Sequence, residues 1–264
     1  MLITFEPHPR LVLANGEEIS VLTTVEEKIE ILEKTGLDHL VVANFTQAFA
    51  ATSAEQFVRN YLVEKFHTRA VFVGPDHMFG RKKEGDYRLL QQLGQQSGFQ
   101  VFNVEPIELN GKAVSSTLIR RLLSEGSVAR AARLLGRPYN MQGRVVRGQG
   151  QGRELGFPTA NLRPTSRYKL FPKEGIYAAR VKIGDGLYDS AAYIGVRPTF
   201  NGTEKVAEVH VPGFNGNLYD RDIEIFFHAF LRDDQKFDTT AELAEQIKQD
   251  IQNAIHFLEH GGKS

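Results

Sequence analysis

Two oxygen-bearing side chains at alternate positions, just past a run of glycines, are the most chemically suggestive feature of this sequence. The stretch reads "VVRGQGQGRELGFPTANL", with Gly148, Gly150, Gly152 and Gly156 followed by Thr159 and Asn161. A glycine-dense loop lets backbone amides approach a phosphate closely. It is not a Walker A loop, because no Gly-Lys-Ser/Thr follows, and it fails Gly-x-Gly-x-x-Gly, because Arg153 stands three residues after Gly150. The plain alternative is a mobile hairpin tip. If "PTAN" is extended, Thr159 and Asn161 point to one side and Ala160 to the other. Two neutral oxygens side by side suit a hard cation such as Mg²⁺, whose remaining ligands are waters and nucleotide phosphates. The competing reading is a Thr/Asn turn capping its own backbone.

Phosphoryl transfer also wants a base. In "VAEVHV", strand alternation puts Glu208 and His210 on one face and Ala207, Val209 and Val211 on the other. Glu208, opposite a phosphate loop, suits a general base for a hydroxyl. Glu224 in "RDIEIFF" alternates in the same way and ranks just behind it.

The first half offers two further candidates. "VFVGPDHMFGRKKEGD" follows a strand end, and ligands bind outside the carboxyl ends of strands in open parallel sheets. That places Asp76, Phe79, Gly80 and Asp86 for a ligand, unless the segment is only a polar loop with a glycine turn. In "VSSTLIRR", Ser115, Ser116 and Thr117 open a helix, where free N–H groups and the dipole favour an anion, with Arg120 one turn in to fork a phosphate. Simple N-capping explains one serine, not three hydroxyls and an arginine. His8, wedged between two prolines, reads as loop-shaping.

These residues need elements to hold them. Up to about residue 136, strand signals alternate with helix signals. "LITF", "HLVVANF", "RAVFVG" and "FQVFNV" read as strands. "TTVEEKIEILEKTG" reads as a helix, with Thr24 and Glu27 as a capping box and Val25, Ile29 and Leu32 on one face. "SAEQFVRNYLVEKF" is another, boxed by Ser53 and Gln56. "GDYRLLQQLGQQSG", "SSTLIRRLLSEG" and "SVARAARLLG" complete the set. Such alternation predicts βα units and a parallel sheet. From Tyr139 to about Leu231 only strands and turns occur, with "GDG" at 184–186 as a tight hairpin, so this region is a barrel or a sandwich. A long helix from Thr239 closes the chain, striped by Leu243, Ile247, Ile251, Ile255 and Leu258. Two domains follow, 1–137 and 138–264, an α/β domain and a β domain.

Composition narrows the function classes. Lys+Arg and Asp+Glu both number 32 in 264 residues, so any anion site is local, with no bulk attraction for nucleic acid or for an anionic membrane. There is no cysteine, which excludes disulfides, thiolate metal sites and a cysteine nucleophile and fits a cytoplasmic setting. No apolar run approaches the ~18 residues of a membrane span, and "MLITFEPHPR" does not read as a signal peptide.

Along nearly all of its length the chain resembles the bacterial bifunctional riboflavin kinase/FAD synthetase family. "TFEPHPR", "VGPDHMFGRKKEGD" and "VSSTLIRRLLSEG" look like the family's adenylyltransferase domain. "GRVVRGQGQGRELGFPTANL", "GIYAARV", "IGVRPTFNG", "EVHV" and "LRDDQKFDTTAELAEQIKQDI" look like its kinase domain. The resemblance implies a six-stranded antiparallel kinase barrel after a Rossmann-like nucleotidyltransferase sheet. It implies Mg²⁺–ATP at Thr159 and Asn161, and Glu208 as the base that deprotonates the riboflavin 5′-hydroxyl. The glycine loop and Arg153 would cover the ATP phosphates, with Arg232 and Phe237 near the flavin. ATP, riboflavin and FMN are the implied small-molecule partners.

The sequence departs from the family pattern in lacking His-x-Gly-His, the motif that handles ATP phosphates in the adenylyltransferase half, with the strand that carries it and the helix that follows. That strand is central in a nucleotidyltransferase sheet. The expectation is therefore a working riboflavin kinase with an incomplete FAD synthetase domain. The alternatives are a fully bifunctional enzyme, should the N-terminal segment be supplied, and a flavin- or nucleotide-binding module without turnover. Smaller departures are Pro75, and Asp220 where glycine is usual.

Overall fold

The computed structural model describes residues 1–13, 19–109, 111–148, 150–199 and 202–261. Phe200 and Asn201 of "IGVRPTFNG" lie outside the described residues. Packing divides the chain into two compact units, Met1–Ile19 with Lys28–Val114, and Ser20–Glu27 with Ser115–Ser264. The helices Ser116–Ser124 and Val128–Leu135 group with the β region rather than with the sheet region before them. Lys173 N donates to Leu123 O at 2.9 Å, tying the first of these helices to the barrel unit.

In the first unit, β1 (Leu2–Glu6) pairs in parallel with β2 (Leu40–Asn44), and β3 (Ala70–Val73) pairs in parallel with β4 (Gln100–Asn103). A short hairpin follows, β5 (Glu108–Leu109) with β6 (Lys112–Ala113). The parallel direction agrees with the sequence. The single sheet does not form: the two pairs are separate two-stranded sheets, and no described strand joins them. They share a core all the same, where Ile3 packs with Val58, Leu62, Val73, Leu90 and Phe99. Strand alternation turns Val71, Val73 and Val101 towards that core and Phe72 and Phe102 away from it. The two outward rings stack at 4.9 Å, and Phe72 is 67% exposed.

The Ser53/Gln56 box forms as read, both bonds being present. Its helix runs on from Phe57 into a π-helical turn over Val58–Val63. Asp86 caps the helix Tyr87–Ser97 through Leu89 N, and Gly98 ends it in the left-handed conformation.

The second unit is a closed barrel, built from β7 (Tyr139–Val146), β8 (Ala160–Pro164), β9 (Gly175–Ile183), β10 (Gly186–Thr199), β11 (Gly202–His210) and β12 (Asp222–Arg232). Around it the order is β10-β11-β8-β7-β12-β9, every pairing antiparallel. Closure leaves no free edge. Period-two alternation fills the interior with Tyr139, Met141, Tyr177, Val181, Ile225 and Phe227, each at most 1% exposed. The Tyr177 and Phe227 rings meet edge to face at 5.3 Å. Burying side chains of this size contributes roughly 1.5–3 kcal/mol each.

Thr239 caps the last helix, Thr240–His260, through Glu242 N. Its most buried ridge is Asp250, Ala254 and Leu258, not the whole predicted stripe. Asp220 takes φ +62°, so the turn that usually carries glycine is kept, in the left-handed region that Asp tolerates better than most residues.

One sequence expectation is inverted. Ile29 of the predicted apolar face is 37% exposed, while Glu27 is fully buried. The Thr24/Glu27 box does form, Thr24 N donating to Glu27 Oε2 at 3.0 Å and Glu27 N to Thr24 Oγ1 at 3.3 Å. The same carboxylate also accepts from Gln142 N and from the buried ammonium of Lys169, at 3.1 and 2.5 Å. A buried carboxylate persists only when its lone pairs are taken up in this way. Burial outweighs the attraction of Glu27 at Lys169 and pulls its pKa down to about 8.

Candidate active site

Strand β8 is short because Pro158 precedes it and Pro164 ends it. It is nonetheless held on both sides, Asn161 standing opposite Val146 of β7 and Glu208 of β11. The register alone therefore brings Asn161 and Glu208 to neighbouring positions. Alternation along β11 is as read: Ala207, Val209 and Val211 are buried while Glu208 and His210 stay partly open. Thr159 Oγ1 donates to Glu208 Oε2 at 2.9 Å. His210 is held by the Pro158 carbonyl, with its Nδ1 at 2.9 Å from that oxygen.

Two cavities meet at this point. One, of about 340 Å³, is lined by Glu208, Arg197, Tyr193, Arg232, Asp234 and Phe237, with apolar walls from Leu155, Phe157, Ile176, Leu243, Ile247 and Ile251. The other, of about 650 Å³, is lined by Gly148, Arg153, Asn161, Phe214 and the turn 215–219. Gly150 and Thr159 line both. Several members of the predicted helix stripe thus form a cavity wall, which is why they are only half-buried.

Of the site residues expected from sequence, Gly148, Gly150, Gly152, Arg153, Thr159, Asn161, Glu208, Arg232 and Phe237 come together around these cavities. The glycine stretch is not wholly loop, since Gln151–Glu154 form one helical turn. Arg232 is fixed by the buried carboxylate of Asp250, with Nε–Oδ1 at 2.8 Å and Nη2–Oδ2 at 2.6 Å. Glu224, the competing base, lines neither cavity; it is buried and accepts from Asn140 Nδ2 at 2.6 Å.

The remaining expected residues are not part of this arrangement. Asp76 is exposed, and Phe79 packs near Phe57 and His77 in the first unit. Ser115 Oγ accepts from Leu118 N as a plain N-cap, and Ser116 and Thr117 are exposed. Arg120 Nε donates to Ser20 O at 3.2 Å.

Sequence reasoning missed Arg197, Tyr193, Asp234 and Asp250. Arg197 Nη2 donates to Asn161 Oδ1 at 2.9 Å and also to the Glu208 carboxylate. Tyr193 stands opposite Glu208 on β10 and donates its hydroxyl to Asp234 Oδ2 at 2.9 Å. Burial first, then that hydrogen bond, pushes the Tyr193 phenol well above its ordinary pKa. The pairing of β10 with β11 sets Tyr193 opposite Glu208 and Arg197 opposite Glu204, a register that no local sequence signal gives.

Known proteins supply the chemistry that fits this frame. A riboflavin kinase family model matches residues 135–258, and an FAD synthetase family model matches residues 1–118. The bifunctional riboflavin kinase/FMN adenylyltransferase of Escherichia coli K12 is 35% identical over 259 residues, spanning 98% of this chain and 82% of that protein. Its counterpart in Listeria monocytogenes is 36% identical over 259 residues, spanning 97% and 82%. The crystal structure of a macrolide-efflux protein from Streptococcus pneumoniae superposes with a TM-score of 0.84 at 30% identity, over 94% of this chain and 81% of that one. Among the described residues no helix is long and apolar enough to cross a membrane.

Closed barrel, paired cavities and matched domains together define a flavin kinase with an attached FAD synthetase domain. The chain belongs to the bifunctional riboflavin kinase/FMN adenylyltransferase family, and it is an enzyme that phosphorylates riboflavin.

Proposed function

We propose that the kinase step occurs at the wall between the two cavities, where the γ-phosphate of ATP passes to the riboflavin 5′-hydroxyl to give FMN. The observation that carries this reading is Thr159, which lines both cavities and donates to Glu208. The apolar cavity suits a flavin ring, with Arg232 and Phe237 beside it. The other suits the nucleotide, with Gly148, Gly150 and Arg153 covering phosphates and Gly152 of the same loop on the flavin side.

Thr159 Oγ1 and Asn161 Oδ1 are hard oxygen donors on adjoining positions, and a Cβ at Gly148 would lie 2.3 Å from the Asn161 amide nitrogen. The loop backbone thus closes directly onto Asn161, as a cation–phosphate cradle requires. Thr159 and Asn161 would hold Mg²⁺ there, and the ion would supply positive charge to offset the charge that develops in transfer. Thr159 and Asn161 hold that side of the site. Glu208 accepts the proton of the 5′-hydroxyl as its oxygen attacks phosphorus. The apolar walls from Leu243, Ile247 and Ile251 exclude water, which would otherwise compete as acceptor.

Replacing Glu208 by Gln tests the reading. FMN formation, followed by chromatography after incubation with riboflavin, ATP and Mg²⁺, is expected to fall by about 10²–10⁴-fold. Quenching of riboflavin fluorescence should persist. Undiminished FMN formation removes Glu208 from the role of base, and a wild-type chain that forms no FMN favours a binding module without turnover.

Residues 138–264 are then the kinase domain and residues 1–137 an FAD synthetase domain. ATP, riboflavin and FMN are the partners in a cytoplasmic reaction, with no nucleic acid or membrane required.

A further inference from the structure

Arg197 stands among the residues assigned to the phosphoryl transfer. One nitrogen of its guanidinium, Nη2, donates to Asn161 Oδ1 at 2.9 Å and to the Glu208 carboxylate. Both side chains are mostly enclosed, Arg197 at 28% and Glu208 at 17% exposed. Arg197 lines the flavin-side cavity, whereas Asn161 lines the nucleotide-side cavity, so the guanidinium reaches across the boundary between them.

Resting on the kinase reading, Asn161 Oδ1 is the oxygen that a divalent cation needs. A guanidinium within hydrogen-bond distance of that oxygen puts a positive charge where the metal must come. Two cations on one oxygen repel each other in a partly enclosed site. With neither cation in place, the Glu208 carboxylate would rely on the Thr159 hydroxyl in a half-buried setting, which is unfavourable for a charge. Some cation is therefore needed at this point in the unloaded state as well as in the loaded one.

We infer that Arg197 is the placeholder cation of the kinase site. It holds Asn161 and Glu208 in their working positions until the metal–nucleotide complex arrives and displaces it. Its long side chain can withdraw while the strand stays fixed, because the backbone at Arg197 is held by pairing with Glu204 of β11. Metal binding therefore carries the cost of breaking the Arg197 bonds.

The test measures Mn²⁺ binding in the presence of ADP, with no turnover, by the electron paramagnetic resonance signal of free Mn²⁺. Arg197→Met is expected to bind Mn²⁺–ADP about tenfold more tightly than wild type, since a charge-assisted competitor is gone. Arg197→Lys keeps the charge and should stay within about threefold of wild type. A merely structural arginine predicts the reverse, because its loss would loosen Asn161 and weaken binding. Equal or weaker Mn²⁺ binding by Arg197→Met overturns the inference. Should that variant fail to fold, Arg197→Gln takes its place, with tighter binding again expected and equal or weaker binding again overturning the inference. Asn161→Ala separates the cation site from the placeholder role: if it binds Mn²⁺–ADP as wild type does, the cation site itself is misassigned. If it loses binding while Arg197→Met shows no gain, only the placeholder role fails.

Discussion

Gly148 is where the geometry makes its sharpest demand. A Cβ added there would lie 2.3 Å from Asn161 Nδ2, 2.6 Å from its Cγ and 2.7 Å from its Oδ1. Ordinary contact for such atoms starts near 3.4 Å, so something must move by about 1 Å. The Asn161 backbone cannot, since it is paired with β7 and β11 at once. Either the side-chain amide rotates away or the loop backs off, and both open the cradle. A misplacement of about 1 Å at a reacting centre costs on the order of 10²-fold in rate. Gly148→Ala should therefore lower kcat/KM for Mg²⁺–ATP by about 100-fold. KM for riboflavin should change by no more than about twofold, because Gly148 lines only the nucleotide-side cavity. The φ of Gly148 is not positive, so alanine brings no backbone strain there. Gly150 is the natural control: its φ of +81° strains an alanine, but no atom lies within 4 Å of its Cβ. Gly150→Ala should cost about 1–2 kcal/mol of local stability with a smaller loss of rate. Steady-state kinetics with each substrate varied in turn decides the matter. A Gly148→Ala enzyme with wild-type kcat/KM for Mg²⁺–ATP would refute the assignment of Asn161 to the cation–phosphate cradle.

Other consequences are as direct. Asp250→Asn removes the charge that fixes Arg232, so KM for riboflavin should rise about tenfold with KM for ATP little changed, as read in the same kinetics. Lys169→Met leaves the buried Glu27 carboxylate without its counter-ion, a loss of about 3–5 kcal/mol, or roughly 10–15 °C in Tm, by differential scanning fluorimetry. Adding Glu27→Gln should recover part of it, since no charge is then buried. The pH dependence follows from the lowered Lys169 pKa, about 8 against an ordinary 10.5. Between those values the unfolded chain holds a proton that the folded one has released. Wild-type stability should thus rise relative to Lys169→Met, by up to about 1.4 kcal/mol per pH unit. Effects of the buried tyrosines are common to both proteins and cancel in the difference. A flat difference across that window in urea titrations would sink the account.

Local signals were the legible ones. Both capping boxes form because each needs only residues three apart in sequence, and Glu208 faces as read because alternation within one strand is local. What escaped was long-range. Nothing near Glu27 says that Lys169 comes from 142 residues away to bury it. Nothing in "IGVRPTF" says that β10 and β11 pair so as to bring Arg197 within reach of Glu208. The choice between barrel and sandwich was equally non-local, since it depends on β8, whose flanking prolines hide it from strand patterning, closing the ring between β7 and β11. The Glu208 and Glu224 carboxylates could not be told apart by alternation. Their surroundings separate them: Glu208 faces a cavity and Glu224 an amide inside the barrel unit.

Residues 1–137 support a last prediction, about the second activity of the family. In the pattern this chain resembles, a His-x-Gly-His motif handles ATP phosphates for adenylyl transfer, and the sequence contains none. Two of the groups proposed from sequence as phosphate contacts are otherwise engaged. Ser115 Oγ is used in capping Leu118 N, and Arg120 Nε is bonded to the Ser20 carbonyl. The parallel strands stand as two separate pairs, and the stacked Phe72 and Phe102 rings face outward with Phe72 67% exposed. Adenylyl transfer needs oriented positive charge at developing phosphate charge, and Arg120 has its Nε committed to a backbone carbonyl. The 264-residue chain, given FMN, ATP and Mg²⁺, should therefore form FAD at least about 100-fold more slowly than it forms FMN from riboflavin, a gap of the size left by losing one positioned electrostatic group. Chromatographic separation of FMN and FAD from parallel reactions measures both rates on one preparation. Comparable rates would mean that Arg120 or the Asp76–Phe79 loop rearranges on the nucleotide and supplies the missing charge and orientation.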